Sequence, residues 1–285
     1  MGAEEESAFA ARLADLEATL GEREAELGAL REAVAAEARR VSSEMDIARR
    51  IQVSLMPRVP PTVGDWAVAS YYKAARIIGG DFYDVYELPD PPGSVGIAIA
   101  DITGKGITAA LLMAFARAVM RSAAYNASGP LDTLERTNRV FKADVRTGLF
   151  LTALVARLLP NGVVRHASAG HEPALVWRAG TRRLAWTGSA GGMLGLFGTT
   201  GAVEHTLRLA RGDVLLTYTD GATDARDGDG RRFGERRLRQ AFAAAASGGP
   251  TAAVDGVREA LEGFCSAAPE PADDLTLLAV ARAEV

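Results

Sequence analysis

At 285 residues, with 48% hydrophobic and 24% charged side chains, the chain has an ordinary globular composition and room for one large domain plus an appendage. Its net charge of −4 gives no general attraction to nucleic acid or anionic lipid, and no apolar run approaches the roughly 20 residues of a membrane span. We therefore expect no nucleic acid and no membrane among its partners. The single cysteine, Cys265, excludes an internal disulfide, and the acidic N-terminus is unlike a secretion signal. Both features favour a cytoplasmic location.

The first 56 residues contain no proline and follow a heptad pattern. With Phe9 as a d position, eleven of fourteen a and d positions are apolar, and Arg23, Glu37 and Glu44 interrupt the stripe. This pattern predicts a long coiled-coil or linker helix. A parallel homodimer is the interpretation we favour, and a helix folded back on the rest of the chain is the alternative.

Three prolines, Pro57, Pro60 and Pro61, are predicted to end this helix. The sequence thus predicts two parts, a coiled-coil or linker helix over 1–56 and a globular domain over 57–285.

From about Trp66 onward, strand-like and helix-like stretches are mixed and separated by turn signals. Most strands follow one another in hairpin order, and the helices come in pairs. This order predicts an α+β fold with antiparallel sheets covered by helices, not a βαβ winding. The predicted strands are DWAVASYYKA, DFYDVYEL, SVGIAIADI, FLTALVARLL, VVRHASAG, ALVWRAG, EHTLRLA, DVLLTYTD and LTLLAVARA. The predicted helices lie at 107–126, 130–146, 234–246 and 251–265.

Acidic residues stand at the ends of several predicted strands. Asp81 follows a Gly-Gly bend, Asp101 and Asp220 end apolar strands, and Asp273 and Asp274 begin the last one. A carboxylate without a partner at the edge of a core is unfavourable, so several such acids suggest convergence on a hard cation such as Mg²⁺ or Mn²⁺. The three histidines and the lone cysteine show no zinc-ligand spacing.

The order of motifs over about residues 66–283 resembles the SpoIIE/RsbU-like branch of the PPM family, which are bacterial metal-dependent serine/threonine phosphatases. The resemblance implies an α-β-β-α sandwich of two antiparallel sheets flanked by helix pairs, with two Mn²⁺ or Mg²⁺ ions at one edge. The helix before the domain, EMDIARRIQVSLMP, is also similar to the linker that often precedes such domains. The matching motifs are GGDFYD, DITGKGITAALLMA, ASAGHEPALV, GDVLLTYTDGATDA, GERRL and DDLTLLAV.

Carried over motif by motif, the resemblance implies a role for each acid. Asp101 bridges both ions, and the backbone carbonyl of Ile102 binds the second ion. Asp220 and Asp273 complete the first ion's ligands, and Asp81 binds the second. Two such ions lower the pKa of a bridging water and neutralise phosphate charge, which permits in-line attack without a covalent enzyme intermediate.

The chain departs from eukaryotic relatives beside the bridging aspartate. Thr103 stands where those relatives carry a histidine that is a candidate general acid, so leaving-group protonation is open. Arg76 and Lys105 are candidates for phosphate contact, with solvated surface roles as the alternative.

Other polar residues near these motifs receive supporting roles. We expect His171 to hold its turn by a structural hydrogen bond. Asp84 and Asp274 are either partners that support the ligands, which we favour, or outer ligands. Asp224 is near enough to Asp220 in sequence to contact a water of the site.

The family usually acts on a phosphoserine or phosphothreonine of a small STAS-domain anti-anti-sigma protein, which frees a sigma factor in stress-response signalling. The resemblance implies that substrate here. Our own hypothesis adds an upstream activator protein that acts through the N-terminal helix. Two alternatives belong to other classes, a pseudophosphatase that only binds phosphoproteins and a coiled-coil signalling scaffold. The first predicts loss of a metal aspartate, and all four are present.

Overall fold

The computed structural model describes residues 2–58, 62–146, 148–266 and 273–283. The chain divides into two compact units, Met1–Arg50 and Ile51–Val285. The predicted boundary, between residues 56 and 57, lies six residues further along the chain than this division. Residues 51–56, the end of the predicted linker helix, therefore belong to the second unit.

Helix α1 begins at Ala3 and ends at Leu55, two residues before Pro57, where a proline is expected to stop a helix. Pro60 and Pro61, also predicted to end it, lie outside the described residues. The large apolar heptad residues of the first unit are exposed, from 72% for Phe9 to 43% for Val41, and Ala48 is half-buried.

The second unit contains two antiparallel sheets, ordered β1-β2-β11-β10-β7-β8 and β3-β4-β5-β6-β9. The nine predicted strands are present, whereas β1 and β8, of two and four residues, were not predicted. The strands are β1 (Thr62–Val63), β2 (Trp66–Lys73), β3 (Phe82–Leu88), β4 (Ser94–Ile102), β5 (Leu151–Leu158), β6 (Val163–Ala169), β7 (Leu175–Arg178), β8 (Arg183–Trp186), β9 (Glu204–Arg208), β10 (Val214–Tyr218) and β11 (Leu275–Arg282).

Helices α2 and α3 pair with each other over the β3-β4-β5-β6-β9 sheet, and α5 and α6 pair over the other sheet. The predicted α+β fold, an α-β-β-α sandwich preceded by a long helix, is therefore confirmed. The one-turn helix α4 was not predicted. The helices are α2 (Ile107–Asn126), α3 (Pro130–Asp144), α4 (Gly221–Asp224), α5 (Gly234–Ala245) and α6 (Gly249–Phe264), with a 3₁₀ turn at Ala246–Gly248.

The core has two layers because strand side chains alternate between faces. On β11, Leu278 and Val280 point into the cluster between the two sheets, whereas Leu277 and Ala279 point into the cluster beneath α5 and α6. Burying one such side chain fully contributes about 1.5–3 kcal/mol, so the two layers hold the sheets in fixed register.

Helix α2 reaches the length and apolarity of a membrane-spanning helix, with a mean hydropathy of 1.4. The expectation that no apolar run approaches that length was therefore wrong for this segment. Its buried side, which includes Met113, Ala116 and Met120, packs into the core between the sheets and the helix pair. Only 28% of its apolar window is buried, and Ile107 and Leu111 are 52% and 67% exposed, so one side of α2 belongs to the core and the other does not.

Candidate metal centre

Asp81 and Asp101 face each other at one end of the β3–β4 pair. Phe82 of β3 is opposite Ala100 of β4, so the register continued by one residue places Asp81 opposite Asp101. The two carboxyl groups are close enough for each to affect the pKa of the other. The edge of this sheet thus supplies two adjacent acids.

The opposite sheet holds Asp81 in place. The hydroxyl groups of Thr219, after β10, and Thr276, in β11, donate to the same Asp81 oxygen at 2.7 and 2.8 Å. Asp81 itself is 2% exposed. Since these hydroxyls belong to the other sheet, Asp81 joins the two sheets at the edge where the acids meet.

Asp220 and Asp273 come from the second sheet, where β10 ends and β11 is about to begin. The β10–β11 ladder pairs Tyr218 with Leu277 and so brings both chain ends to this edge. A Cβ added at Gly221 would lie 1.8 Å from the carbonyl oxygen of Asp274, so only glycine permits this approach directly after Asp220.

The acids of the two sheets repel one another. Burial raises the pKa of Asp101 to about 7, and the charges of Asp220 and Asp273 add to the rise. Burial, followed by the charge of Asp101, raises the pKa of Asp81 well above its usual range. Burial and the charges of Asp273 and Asp224 raise the pKa of Asp220, against the opposing effect of Lys105.

These groups suit a hard divalent cation. A divalent cation would stabilise the ionised forms of these mutually repelling carboxylates, and carboxylate and carbonyl oxygens are the donors that Mg²⁺ and Mn²⁺ prefer. The backbone carbonyl of Ile102 is a further oxygen near these acids. A Cβ added at Gly80, the residue before Asp81, would lie only 2.8 Å from it. Among the described residues, no group of three or more histidine, cysteine, aspartate or glutamate side chains is placed closely enough to hold a metal ion as the side chains stand.

Asp84 and Asp274, the two acids whose roles the sequence left open, have different contacts in the structure. Asp84 accepts hydrogen bonds from Arg117 and Arg121 of α2, so it secures this helix to β3. Asp274 accepts the N–H groups of Ala75 and Gly80 at 2.7 and 2.6 Å, which is the supporting role that we favoured.

The remaining candidates also have definite neighbours. The Nζ of Lys105 lies 3.7 Å from Asp273, and a small cavity there is lined by Arg76 as well. Asp224 pairs with Arg232 at 2.9 Å. His171 is buried and bonds through Nδ1 to the Thr152 hydroxyl at 2.8 Å, as expected of a structural residue. Burial lowers the pKa of His171 to about 4.

Three residues of the site were missed by the sequence analysis. Thr219 and Thr276 are ordinary strand residues in sequence, and Gln52 lies in the last turn of α1. Gln52 bonds to Gly79, 27 positions away, and the threonines bond to Asp81 at separations of 138 and 195. A local signal was present only for Thr219, which directly precedes Asp220.

Comparison with known proteins gives concordant matches. The sequence model of the family described as "Stage II sporulation protein E (SpoIIE)" matches residues 91–283, which include Asp101, Asp220 and Asp273 but not Asp81. Phosphoserine phosphatase RsbU of Bacillus subtilis is 28% identical over 191 residues, covering 67% of this chain and 56% of RsbU. The chain spans about half the length of the curated relatives it matches.

Solved structures show the same fold. The SiaA PP2C domain of Pseudomonas aeruginosa superposes with a TM-score of 0.76 at 22% identity, covering 87% of this chain and 98% of that one. A structure of RsbX in complex with magnesium superposes with a TM-score of 0.53 at 18% identity, covering 75% and 94%. The α-β-β-α sandwich is thus a PP2C-type fold.

Proposed function

Because the chain belongs to the SpoIIE family, we propose that it is a metal-dependent serine/threonine protein phosphatase. One observation carries this proposal: the buried Asp81 and the half-buried Asp101 of one sheet meet the half-buried Asp220 of the other at one edge, where burial and mutual repulsion raise their pKa values. Such an arrangement is unfavourable by itself and becomes favourable with divalent cations. The name of RsbU, a phosphoserine phosphatase, supports the same reaction.

The proposed ligands are Asp81, Asp101, Asp220, Asp273 and the backbone carbonyl of Ile102. Two Mn²⁺ or Mg²⁺ ions, when bound, neutralise phosphate charge and acidify water for in-line attack on phosphorus. The magnesium in the RsbX structure supports this choice of cation.

The chain's own groups orient the ligands and the phosphate. Thr219 and Thr276 leave one Asp81 oxygen engaged and the other available. Lys105, beside Asp273, offers a positive charge to a phosphate oxygen. The Thr103 hydroxyl donates to the Phe150 carbonyl at 2.9 Å and accepts from its N–H at 3.1 Å. Thr103 therefore closes the turn after Asp101 and does not protonate the leaving group.

The experiment is phosphate release from phosphorylated STAS-domain anti-anti-sigma proteins by the full chain, with and without Mn²⁺. Asp101→Asn and Asp220→Asn are expected to lower kcat/KM by at least about 100-fold, since each removes a ligand. Asp229→Asn is the matched control, because it removes the same charge from an exposed loop residue. Release that is independent of both Mn²⁺ and Asp101 would contradict the proposal.

We also propose that α1 forms a parallel homodimer and receives an upstream activator protein. The support is the row of exposed apolar a and d residues, which is too regular for a solvated helix face. Leu30→Lys should weaken the dimer at least tenfold in sedimentation, whereas Ala29→Lys, at an outer heptad position, should not. A wild-type chain that sediments as a monomer would exclude the dimer. The cytoplasmic location stays a prediction.

A further inference from the structure

The last turn of α1 buries one polar side chain. Gln52 is 5% exposed, whereas its neighbours Ile51 and Val53 are 56% and 54% exposed. The turn is held by Met56, which is 8% exposed and belongs to the core between the sheets. A buried amide needs hydrogen-bond partners, so the partners of Gln52 show what this turn does.

Gln52 binds both backbone groups of a single residue. Its Nε2 donates to the Gly79 carbonyl at 2.7 Å, and its Oε1 accepts the Gly79 N–H at 3.1 Å. The Tyr72 hydroxyl is a weaker third partner, at 3.5 Å from Oε1. The side chain thus makes the two hydrogen bonds that a neighbouring strand could make to Gly79. Its removal leaves the N–H and the carbonyl of Gly79 without these partners.

The other side of the same bend is held by Asp274, whose carboxylate accepts the Gly80 N–H at 2.6 Å. A Cβ at Gly79 would lie 2.3 Å from that carboxylate and 2.6 Å from the Tyr72 hydroxyl. The two glycines therefore run through a narrow space with Gln52 and Asp274 as their partners. The next residue along the chain is Asp81.

We propose that Gln52 is a positioning residue that fixes the Gly79–Gly80 bend, and through it Asp81, for binding of the second cation. The inference rests on the proposed function, because it uses the role of Asp81 as a ligand. It deepens that function by identifying which residue of α1 acts on the site, and where. Glycines are the most flexible residues, so the bend depends on these partners more than another sequence would.

The geometry also gives the direction of control. When the last turn of α1 keeps Gln52 over Gly79, Asp81 is held facing Asp101. When the turn withdraws, the bend loses two hydrogen bonds, and only the Asp274 contact remains beside it. The cation that uses Asp81 is then bound more weakly, while Asp220 and Asp273 on the other sheet are unaffected.

The test is a Mn²⁺ titration of the full chain, followed by electron paramagnetic resonance in the absence of substrate. Gln52→Ala should weaken the site that Asp101→Asn abolishes by about 10- to 100-fold, the usual effect of removing a residue that orients a ligand. Val53→Ala, one residue away and exposed, is the control and should bind within twofold of wild type.

Gln52→Met separates positioning from packing. Methionine fills the same space without the amide, so hydrogen bonding predicts that it fails as alanine does, whereas packing predicts that it restores affinity. Phosphate release should recover in both variants as Mn²⁺ is raised, because the site is weakened and not destroyed. Thermal unfolding of the metal-free variants shows whether they are folded.

Each outcome is decisive. Wild-type Mn²⁺ affinity in either Gln52 variant, or failure of both variants to fold, overturns the positioning role. If Mn²⁺ binding is weakened by the Gln52 variants and abolished by Asp101→Asn, but wild type releases no phosphate, the positioning role stands and the phosphatase function is wrong. If wild type binds no Mn²⁺, both fail together.

Discussion

Asp81 and Asp84 are three residues apart and equally buried, at 2% and 1% exposure, yet their surroundings are opposite. Asp84 faces two arginines of α2, so its charge is compensated within the protein. Asp81 faces two threonine hydroxyls and the carboxyl group of Asp101, so its charge is not. Burial of an acid therefore says little about function until the charge beside it is known.

The comparison predicts different consequences for removing each charge. Asp84→Asn leaves Arg117 and Arg121 partly buried without a carboxylate, and Arg117 is only 13% exposed in its side chain. Breaking a buried ion pair in this way is strongly destabilising, and we expect a loss of about 3 kcal/mol in the free energy of unfolding. Urea denaturation of the metal-free protein measures this loss.

Glu262→Gln is the control for that experiment. It removes one carboxylate from the exposed ion pair with Arg258, and such pairs contribute little. Equal losses from Asp84→Asn and Glu262→Gln would show that the arginines do not depend on Asp84.

At the candidate metal centre, removing a carboxylate charge is expected to stabilise the metal-free protein instead of destabilising it. Asp101→Asn removes a charge that Asp220 and Asp273 repel, so the metal-free protein should gain about 1 kcal/mol in stability at pH 8. The same variant should gain nothing further from Mn²⁺, whereas wild type should be stabilised by it. A metal-free Asp101→Asn protein that is less stable than wild type would mean that the acids are not in conflict.

The same contrast explains what the sequence could predict. Asp101 and Asp220 each end an apolar run, so local pattern located them at a core edge. Antiparallel pairing brings Asp101 beside Asp81 in one sheet and the ends of β10 and β11 together in the other, and the packing of the two sheets joins the two sets of acids. The Gly-Gly bend marks Asp81 in the sequence, but nothing local shows what compensates the charge of Asp84, because its arginines lie on a helix more than 30 positions away. Gln52 could not be identified from the sequence for the same reason, because its role depends on a contact with Gly79 that forms only in the folded domain.

A third way of burying an ionisable group is to keep it neutral, and His166 does this. It is 2% exposed and stacks on His205, with ring centroids 5.4 Å apart. Burial, and then the charge of His205, lowers its pKa to about 4, although Glu204 acts in the opposite direction. Unlike the aspartates, it has no need of either an arginine or a cation.

This difference has a pH signature. The pKa of His166 in the folded protein is below the ordinary histidine value of 6.5, so between about pH 6.5 and pH 4 the unfolded chain binds a proton that the native state does not. The free energy of unfolding therefore falls as the pH falls through this window.

His166→Phe keeps a ring against His205 and removes the titration, so the fall between pH 7 and pH 5 should be smaller. Since His171 is also buried with a pKa lowered to about 4, roughly half of the histidine contribution should remain. Urea midpoints at the two pH values measure the difference, and an identical fall in the variant and the wild type would show that His166 is not kept neutral by the fold.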